Sequence, residues 1–370
     1  MKVVFEALEV AALSVALTEP FVIASGRVDA TRAALVQVVA RGDGLEARGL
    51  GEAAALPPVT REDQPEVLDA LERARAAFVG AAIDLDLDGD FCVVSELCAR
   101  AADGSTVARA GLETAALDAI SRLFDRPLRA LLGGDVGRAT RVLETDITLP
   151  IQPAAAMAAQ ALRWRALGFS CFKVKVGVDA DADVAAIAAV HAAVPDATFR
   201  VDANAGFSAR VAIAFARALE RRGVAMQCFE QPCAADDLDG MAEVARAISA
   251  PVVADESVKS LADLDRVAAA RACGAVNLKL AKSGGPLGAL AIGRRARALG
   301  LGVMCGGMVE TRLGMTAAAH VAAALGGVEF VDLDTAWLLA DDPFTGGYTA
   351  RGPRLTLVDA PGLGVDLATS

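Results

Sequence analysis

Short apolar runs, many of them β-branched, recur at a regular interval from about residue 140 onwards. They are centred near Thr145, Lys173, Arg200, Cys228, Val253, Asn277, Val303 and Phe330, at steps of 24 to 28 residues. The stretches between them carry apolar residues three and four apart, which is typical of amphipathic helices. Eight strand-then-helix units predict a closed (β/α) barrel. An open doubly wound sheet is the alternative, but it more often has six strands and no GxGxxG motif follows an early strand.

The N-terminal region follows a different pattern. Strand-like runs come first, and Arg-Gly-Asp-Gly at residues 41–44 separates two of them as in a hairpin, whereas residues 18–30 read as a loop. Helical periodicity follows over residues 63–79, 91–102 and 105–124. Strands followed by helices predict an α+β capping domain.

The whole chain is therefore predicted to be an α/β protein. The capping domain covers residues 1–130, a barrel of modified TIM type covers 131–342, and residues 343–370 form a C-terminal segment. This segment contains the strand-like RLTLVD and is predicted to return to the cap and complete it.

Composition narrows the range of functions. A net charge of −11 without any basic stripe argues against a nucleic-acid partner. No apolar run is long enough for a bilayer of ~30 Å, and Glu6 and Glu9 interrupt any signal-peptide core. The seven cysteines lack a CxxC pair and fit reduced thiols in the cytoplasm. Both histidines, His191 and His320, lie in alanine-rich helical runs and are predicted to be structural, which leaves acid–base chemistry to lysines and carboxylates.

Three acids stand at the predicted C-terminal ends of consecutive barrel strands, where such barrels carry their chemistry. They are Asp202, Glu230 and Asp255. Carboxylates held together repel one another unless they are protonated or bind a cation. Oxygen ligands suit Mg²⁺ or Mn²⁺, while the alternative is that each acid caps the helix that follows it. Asn204 and Glu256 are candidates for hydrogen bonding to the ligands.

Lysines come from the second and sixth strands. Lys173 and Lys175 alternate with apolar residues in FKVKVG, so they share one face of a strand. The alternative is an edge strand with solvated lysines, but the acids nearby favour an inward position. Lys279 lies on the sixth strand, across the barrel mouth. A divalent cation nearby disfavours the ammonium form of these lysines, as a general base requires.

The joint pattern of KVK, VDAN, FEQP, ADES and NLKLAKSGG resembles the enolase superfamily over essentially the whole chain. Within it, the sequence is similar to the muconate-lactonising-enzyme subgroup, most of all to the dipeptide epimerases. The resemblance implies that Asp202, Glu230 and Asp255 bind Mg²⁺, which chelates the substrate carboxylate and stabilises the enediolate formed when the α-proton leaves.

The same resemblance assigns roles to the lysines. Lys175 and Lys279 would form the acid/base pair, one on each face of the substrate, and Lys173 would help electrostatically. A lysine on each face can remove the proton from one side and return it from the other, so the outcome is inversion at the α-carbon.

The eighth strand bears on the substrate. Asp332 and Asp334 are two residues apart and point to one face of a strand. This DxD resembles that of the dipeptide epimerases, where the acidic pair binds the free α-ammonium of the substrate. The alternative is that the aspartates accept turn or helix-cap hydrogen bonds.

The loop after Pro20 should set the preference for the epimerised residue. Epimerases of the L-Ala-D/L-Glu type can carry an arginine here, after a Pro-Phe pair, but the corresponding residue is Gly26, with Arg27 beside it. Arg27 would suit an acidic side chain, whereas Phe21, Ile23 and Gly26 would leave an apolar, roomy pocket. Both options stay open.

The sequence thus predicts a cytoplasmic isomerase, a Mg²⁺-dependent epimerase of a small dipeptide substrate, with no nucleic-acid or membrane partner. It would invert the α-carbon of the C-terminal residue by a two-base 1,1-proton transfer, and relatives imply a homo-oligomer. An N-acylamino acid racemase, an o-succinylbenzoate synthase and a muconate-type cycloisomerase are alternatives on the same site. A binding barrel without turnover and a Schiff-base aldolase fit the lysines and acids less well. No role is assigned to Glu52, Glu310 or Arg312.

Overall fold

The capping part of the protein is a sheet covered by helices. The structure is a computed structural model that describes residues 1–86, 91–133 and 141–368. The strands of this part are β1 (Lys2–Leu13), β2 (Ala16–Ile23), β3 (Gly26–Ala30), β4 (Ala33–Gly42), β5 (Leu45–Ala54) and β6 (Ala82–Asp84). Its helices are α1 (Gln64–Phe78), α2 (Cys92–Ala101), α3 (Thr106–Leu123) and α4 (Leu128–Leu131). The three long helices α1 to α3 confirm the periodicity predicted from the sequence.

The predicted hairpin is present as β4 and β5, which pair along their whole length from Ala33↔Ala54 to Gly42↔Leu45. Its two turn residues, Asp43 and Gly44, both have positive φ angles, of 48° and 80°. Such turns match the twist of an antiparallel pair, and glycine adopts them at little cost. Strands β4 and β5, together with β1 and β6, form a four-stranded sheet in the order β5-β4-β1-β6.

The prediction of a loop at residues 18–30 was wrong. These residues form most of a second hairpin, in which β2 pairs with β3 at Phe21↔Val28, Val22↔Arg27 and Ile23↔Gly26. Pro20 does not prevent this, because the register shifts between Ala16 and Phe21 and leaves Pro20 outside the regular pairing. The hairpin is isolated from the main sheet.

The second part alternates strands and helices. Its strands are β7 (Val142–Glu144), β8 (Ile147–Leu149), β9 (Cys171–Lys175), β10 (Thr198–Asp202), β11 (Met226–Glu230), β12 (Val252–Ala254), β13 (Ala275–Leu278), β14 (Gly302–Gly306) and β15 (Phe330–Asp332). Its helices are α5 (Ala154–Ala166), α6 (Ala180–Ala193), α7 (Ala209–Glu220), α8 (Leu238–Ala247), α9 (Leu261–Ala270), α10 (Leu280–Ser283), α11 (Pro286–Ala298) and α12 (Arg312–Leu325).

The eight predicted barrel strands are confirmed as β8 to β15. They lie side by side in sequence order in one parallel sheet. The two edges of this sheet, β8 and β15, nearly meet. The segment before β8 contacts β15 through a hydrogen bond from Asp146 N to Val331 O at 3.2 Å. The sheet is therefore a near-barrel, and the C-terminal ends of its strands gather at one mouth.

The C-terminal segment adds four short strands, β16 (Phe344–Gly346), β17 (Tyr348–Arg351), β18 (Arg354–Leu357) and β19 (Val365–Leu367). The predicted strand RLTLVD is confirmed as β18, which pairs with β17 and β7, and β16 pairs with β19. The segment reaches the cap through hydrogen bonds to Asp118 and Arg122 of α3 rather than by extending the cap sheet. The boundaries 1–130, 131–342 and 343–370 stay predictions, and residues 369–370 lie outside the described part.

One continuous apolar cluster runs through cap and barrel. It includes Phe5 and Leu71 of the cap and Phe172 and Phe229 of the barrel. Cap and barrel therefore share a core, which fixes the cap over the barrel mouth. Among the described helices, none combines the length and apolar character that crossing a membrane requires.

Glycines bring the cap sheet close to α3. A methyl group added at Gly51 on β5 would lie 2.1 Å from the carbonyl oxygen of Gly111 and 2.8 Å from the amide nitrogen of Ala115. The backbone of a helix cannot yield as a side chain does, so this contact requires glycine.

We expect Gly51→Ala to lower the free energy of unfolding by about 1–3 kcal/mol, the usual cost of overpacking. Thermal and denaturant melts would measure the loss. The control is Gly42→Ala on β4, where the new methyl group meets the flexible end of the Met1 side chain at 2.7 Å. An equal loss in both variants would contradict the proposed role of the close contact.

Candidate active site

Strand register places three predicted site residues side by side. Lys175 pairs with Asp202, and Asp202 pairs with Glu230, at the C-terminal ends of β9, β10 and β11. All three are buried. Alternation along β9 turns Lys173 inward as well, while Phe172 and Val174 face the surrounding helices. The predicted inward position of both FKVKVG lysines is therefore seen in the structure.

Asp255 and Lys279 follow directly after their strands, β12 and β13. The backbone N–H of Asp255 donates to Gln231 Oε1 at 2.9 Å. Gln231 also donates to Ser257 Oγ at 2.8 Å, so one buried amide fixes the turn that carries Asp255. Gln231 itself has a φ of 35°, in the left-handed region.

The lysines and acids form one buried network. Lys173 Nζ lies 3.1 Å from Asp202, 2.8 Å from Glu230 and 2.6 Å from Asp332. Lys175 Nζ lies 2.6 Å from Asp202 Oδ2, and Lys279 Nζ lies 2.8 Å from Asp255 Oδ2.

The network shifts the pKa values of its acids. Burial acts to raise the pKa of Asp202, but Lys175, Lys173 and Lys279 outweigh burial and bring the pKa to about 2. The pKa of Asp255 is lowered even further, because Lys279 and Lys282 outweigh its burial. Glu230 has a raised pKa, through burial and the neighbouring Asp202 carboxylate. Asp202 and Asp255 are therefore carboxylates at neutral pH.

Lys173 and Lys279 stay charged next to these acids. Burial acts to lower the pKa of Lys173, but Asp332, Glu230 and Asp202 raise it well above its usual value. Lys279 likewise has a raised pKa, because Asp255 outweighs burial. The protein's own groups thus favour the ammonium form of Lys279. The sequence expectation concerned a lysine beside a divalent cation, so it stays a prediction.

The acids at the ends of β10 to β12 fit a hard divalent cation. They are carboxylates on three neighbouring strands, and such oxygen donors suit Mg²⁺. Glu230 Oε2 and both carboxylate oxygens of Asp255 accept no hydrogen bond of good geometry, although lysine nitrogens lie close to them. These buried oxygens keep lone pairs available to a metal ion.

A second group of acids lies beside the first. Oxygens of Asp146, Asp332 and Asp334 all lie within 4.8 Å of one another, and within the described ranges no other His, Cys, Asp or Glu group meets this criterion. Asp146 is held by Arg200 at 2.8 Å and Asp332 by Lys173 at 2.6 Å. Asp146 does not line the cavity at the barrel mouth. Asp202, Glu230 and Asp255 do not line it either, so the cavity lining does not separate the two groups of acids.

The cavity at the barrel mouth brings the predicted chemistry together. It is lined by Lys175, Lys279, Asp332 and Asp334 and has a volume of about 30 Å³, room for one or two water molecules. Asp334 follows the end of β15 and accepts a hydrogen bond from Thr148 N at 2.5 Å. Burial and Asp332 raise the pKa of Asp334 to about 6. A substrate can enter only when part of the wall moves.

The remaining wall of this cavity is mostly apolar. Its apolar part consists of Phe21 and Ile23 from the β2–β3 hairpin, Leu56 and Val59 from the segment after β5, and Gly307, Met308 and Val309 from the segment after β14. Thr148, Asn204 and Thr335 add polar groups to the wall. Gly26 and Arg27 do not line the cavity. Arg27 is exposed and pairs with Asp29 at 2.8 Å.

Glu52 and Arg312 do not line the cavity at the barrel mouth either. The Glu52 carboxyl accepts hydrogen bonds from Thr311 and Gly314 at the start of α12, which joins the cap to the barrel. Burial and the neighbouring Glu310 raise the pKa of Glu52 to about 8. Arg312 stacks on the Tyr348 ring, with the guanidinium carbon 4.4 Å from its centre.

Asn204 and Glu256 lie near the acids, as expected. Asn204 N donates to Asp202 Oδ1 at 2.9 Å, and the Asn204 amide donates to Glu256 at 3.3 Å. Burial and the Asp255 charge raise the pKa of Glu256 to about 7. Asn204 therefore orients Asp202 directly. Glu256 acts on Asp202 only indirectly, through its hydrogen bond with Asn204.

Several residues of the site were missed in the sequence. Asn277 donates to Glu230 Oε1 at 2.8 Å, and Lys282 lies 2.7 Å from Asp255 Oδ1. Burial lowers the pKa of Lys282. Gly306 leaves room for this packing, because an added methyl group would lie 2.9 Å from Asn277 and 3.1 Å from Asp332. The sequence signal that could have identified Asn277 and Lys282 is the presence of polar residues within an apolar run, in VNLKLAK.

Two family models match the chain. Residues 156–370 match the model described as enolase C-terminal domain-like. Residues 7–133 match the model of the mandelate racemase / muconate lactonizing enzyme N-terminal domain. The two matches together cover cap, barrel and C-terminal segment.

Named relatives are similar over their full length. The chain is 39% identical to an aromatic dipeptide epimerase from Herpetosiphon aurantiacus, over all of both chains. It is 33% identical to the substrate-liganded L-Ala-D/L-Glu epimerase of Bacillus subtilis, with a TM-score of 0.90 over 99% of this chain and 100% of that one. A dipeptide epimerase from Cytophaga hutchinsonii, complexed with Mg and D-Ala-L-Val, gives 29% identity and a TM-score of 0.90 over 99% of this chain and 96% of that one.

The Glu52 carboxyl should make stability depend on pH. Its pKa is about 8 in the folded protein against ~4.3 in an unfolded chain. Between these values the folded state binds more protons, so this group's contribution to stability falls as pH rises. We expect the melting temperature of Glu52→Gln, relative to that of the unmodified protein, to increase between pH 5 and pH 8.

The control variant is Glu6→Gln. Arg41 lowers the pKa of Glu6, which lies at the surface, so its charge does not change between pH 5 and pH 8. A difference for Glu52→Gln that is constant with pH would show that Glu52 is ionised throughout.

Proposed function

The chain belongs to the mandelate racemase/muconate lactonizing enzyme family of the enolase superfamily, and from this we propose that it is a Mg²⁺-dependent dipeptide epimerase. It inverts the α-carbon of the C-terminal residue of its substrate by a two-base 1,1-proton transfer. One observation carries the proposal. Two lysines able to move a proton and two aspartates able to hold an ammonium group line the same cavity.

Asp202, Glu230 and Asp255 would hold the cation, as their oxygen donors and unbonded lone pairs allow. When bound, Mg²⁺ or Mn²⁺ supplies positive charge that holds the substrate carboxylate and stabilises the enediolate. Lys173 adds a fixed positive charge beneath the cavity, between these acids and Asp332.

Lys175 and Lys279 move the proton. Both border the cavity, from strands on opposite sides of the near-barrel. One lysine takes the α-proton in its neutral form, and the other, as an ammonium, delivers a proton to the opposite face. The two exchange roles for the other epimer of the substrate.

Asp332 and Asp334 bind the free α-ammonium of the N-terminal residue. Lys173 and Thr148 orient one oxygen of each acid, so the charged end of the dipeptide meets a rigid acceptor pair. A substrate with an acylated nitrogen has no charge to place there. This separates the proposal from an N-acylamino acid racemase, an o-succinylbenzoate synthase and a cycloisomerase.

The side chain of the C-terminal residue is uncharged. Of the described residues that line the cavity, only Lys175 and Lys279 are cationic, and both are engaged in catalysis. An acidic side chain against Phe21, Ile23 or Met308 would have no cationic partner of its own, which is costly. Arg27 is turned away, in its ion pair with Asp29.

Three finer points belong to the same proposal. The enzyme is cytoplasmic, in keeping with seven cysteines that lack a CxxC pair. It assembles as a homo-oligomer. The capping domain ends near residue 130, and the C-terminal segment begins near residue 343.

The activity test follows the C-terminal α-proton by NMR in D₂O. We expect exchange and epimerisation of L-Ala-L-Phe and L-Ala-L-Val with kcat/KM about ten-fold or more above that of L-Ala-L-Glu, because the wall offers no cation for a carboxylate beyond Lys175 and Lys279. A chelator should stop exchange, and Mg²⁺ or Mn²⁺ should restore it.

Asp334→Asn is the matched variant for substrate class. Asparagine can still accept the hydrogen bond from Thr148 N but lacks the charge. At pH 8 we expect activity on dipeptides to fall by about 100-fold, the cost of removing one partner of a buried charge pair. Exchange of N-acyl amino acids with no exchange of any dipeptide would refute the proposed substrate class.

The two bases are tested one at a time. We expect Lys175→Ala and Lys279→Ala each to lose epimerisation by about 10²–10⁴-fold, the usual worth of a positioned acid or base. Each variant should still exchange the α-proton of one epimer, and the two variants should retain opposite epimers. Lys2→Ala, at an exposed lysine on β1 of the cap that lies outside the cavity, is the control. Full epimerisation by either single variant would rule out the two-base mechanism.

A further inference from the structure

Lys282 is a buried lysine that the proposed reaction does not use. It lies on α10, just after the strand that leads to Lys279, and its side chain is 1% exposed. Its Nζ lies 2.7 Å from Asp255 Oδ1 and donates to the Asp255 backbone oxygen at 2.6 Å. One ammonium group thus contacts both side chain and backbone of a proposed metal ligand.

The two lysines at Asp255 differ in position. Lys279 contacts Oδ2 at 2.8 Å and borders the catalytic cavity. Lys282 contacts Oδ1 and borders a different cavity, of about 540 Å³, between residues 59–62, 106–109 and 288–292. Only Lys279 has to leave Asp255 to act on a substrate.

We propose that Lys282 is a positioning residue that remains on Asp255 throughout turnover and balances its charge. This rests on the proposed role of Asp255 as a metal ligand. Lys282 stays beside Oδ1, whereas Oδ2 becomes open to the cation when Lys279 leaves it to act on a substrate. The positive charge of Lys282 lies close to the cation site and therefore weakens metal binding. Because Lys282 already neutralises part of the Asp255 charge, Asp255 neutralises less of the charge on the cation.

A purely structural role predicts the opposite sign. If Lys282 only ties the end of β12 to α10, its loss loosens Asp255 and weakens metal binding. If it balances charge, its loss removes a repulsion and strengthens metal binding. The direction of the change in Mg²⁺ affinity therefore separates the two roles.

The experiment is calorimetric titration of the full chain with MgCl₂ alone, at fixed ionic strength, for three variants. Lys282→Gln keeps hydrogen-bond donors and removes the charge, Lys282→Met removes both, and Lys282→Arg keeps the charge, with the adjoining cavity giving room for the larger group. We expect Mg²⁺ to bind about ten-fold tighter to the Gln and Met variants, and within about two-fold of the unmodified protein in the Arg variant. At saturating Mg²⁺, kcat should fall in the Gln and Met variants and recover in the Arg variant.

Lys2→Met, at an exposed lysine on β1 of the cap, is the control for the substitution itself. Lys282→Gln keeps the test valid if the Met variant does not fold, because the amide can still bond to Asp255. Unchanged or weaker Mg²⁺ binding by the Gln variant overturns the inference. An Arg variant that binds Mg²⁺ as tightly as the Gln variant overturns it as well. If the unmodified protein binds no Mg²⁺, the metal assignment itself fails, a result distinct from a failure at Lys282 alone.

Discussion

The contact of Lys173 with three carboxylates is the interaction on which the site depends. A lysine with 1% of its side chain exposed is tolerable only among acids, and buried acids are tolerable only beside cations. The register of β9, β10 and β11 must therefore be kept, since a slip of one residue would turn every charged side chain toward the helices. The same constraint holds Asp332 of β15, the last barrel strand, against Lys173 of β9, the second barrel strand. The charge network consequently ties together strands that are distant in the chain.

The cap is attached to this network through backbone groups rather than further charges. Glu52 of the cap accepts hydrogen bonds from the first turn of α12, and Lys259 of the barrel donates to Val59 O at 3.2 Å. Val59 lines the catalytic cavity. Cap and barrel also share one apolar core. The apolar wall over the lysines is thus part of the folded core, and only local segments of it have to move to admit a substrate.

The sequence was sufficient to predict the barrel and the ends of its strands, because a regular spacing of apolar runs and the alternation of Lys173 and Lys175 follow from backbone geometry. It was not sufficient for the β2–β3 hairpin, where Pro20 obscures the strand pattern and pairing depends on a register shift. It also could not place Arg27, whose direction follows from that hairpin. Lys282 and Asp146 escaped notice because a single polar residue in an apolar run does not say which partner neutralises it. Such partners come from strands far away in the chain.

The division between strand ends and loops has a consequence for how substrate preference can change. In the proposed reaction, Asp332, Lys175 and Lys279 act on the parts common to all dipeptides, and their buried ion pairs make any substitution costly to the fold. The residues proposed to face the variable side chain lie on the isolated hairpin and on the segments after β5 and β14. Phe21 and Ile23 on the hairpin lack charged partners, so exchanging them for other apolar residues of similar size costs little stability. A preference for a different C-terminal residue is therefore accessible through the hairpin alone, with the proton-transfer groups left in place.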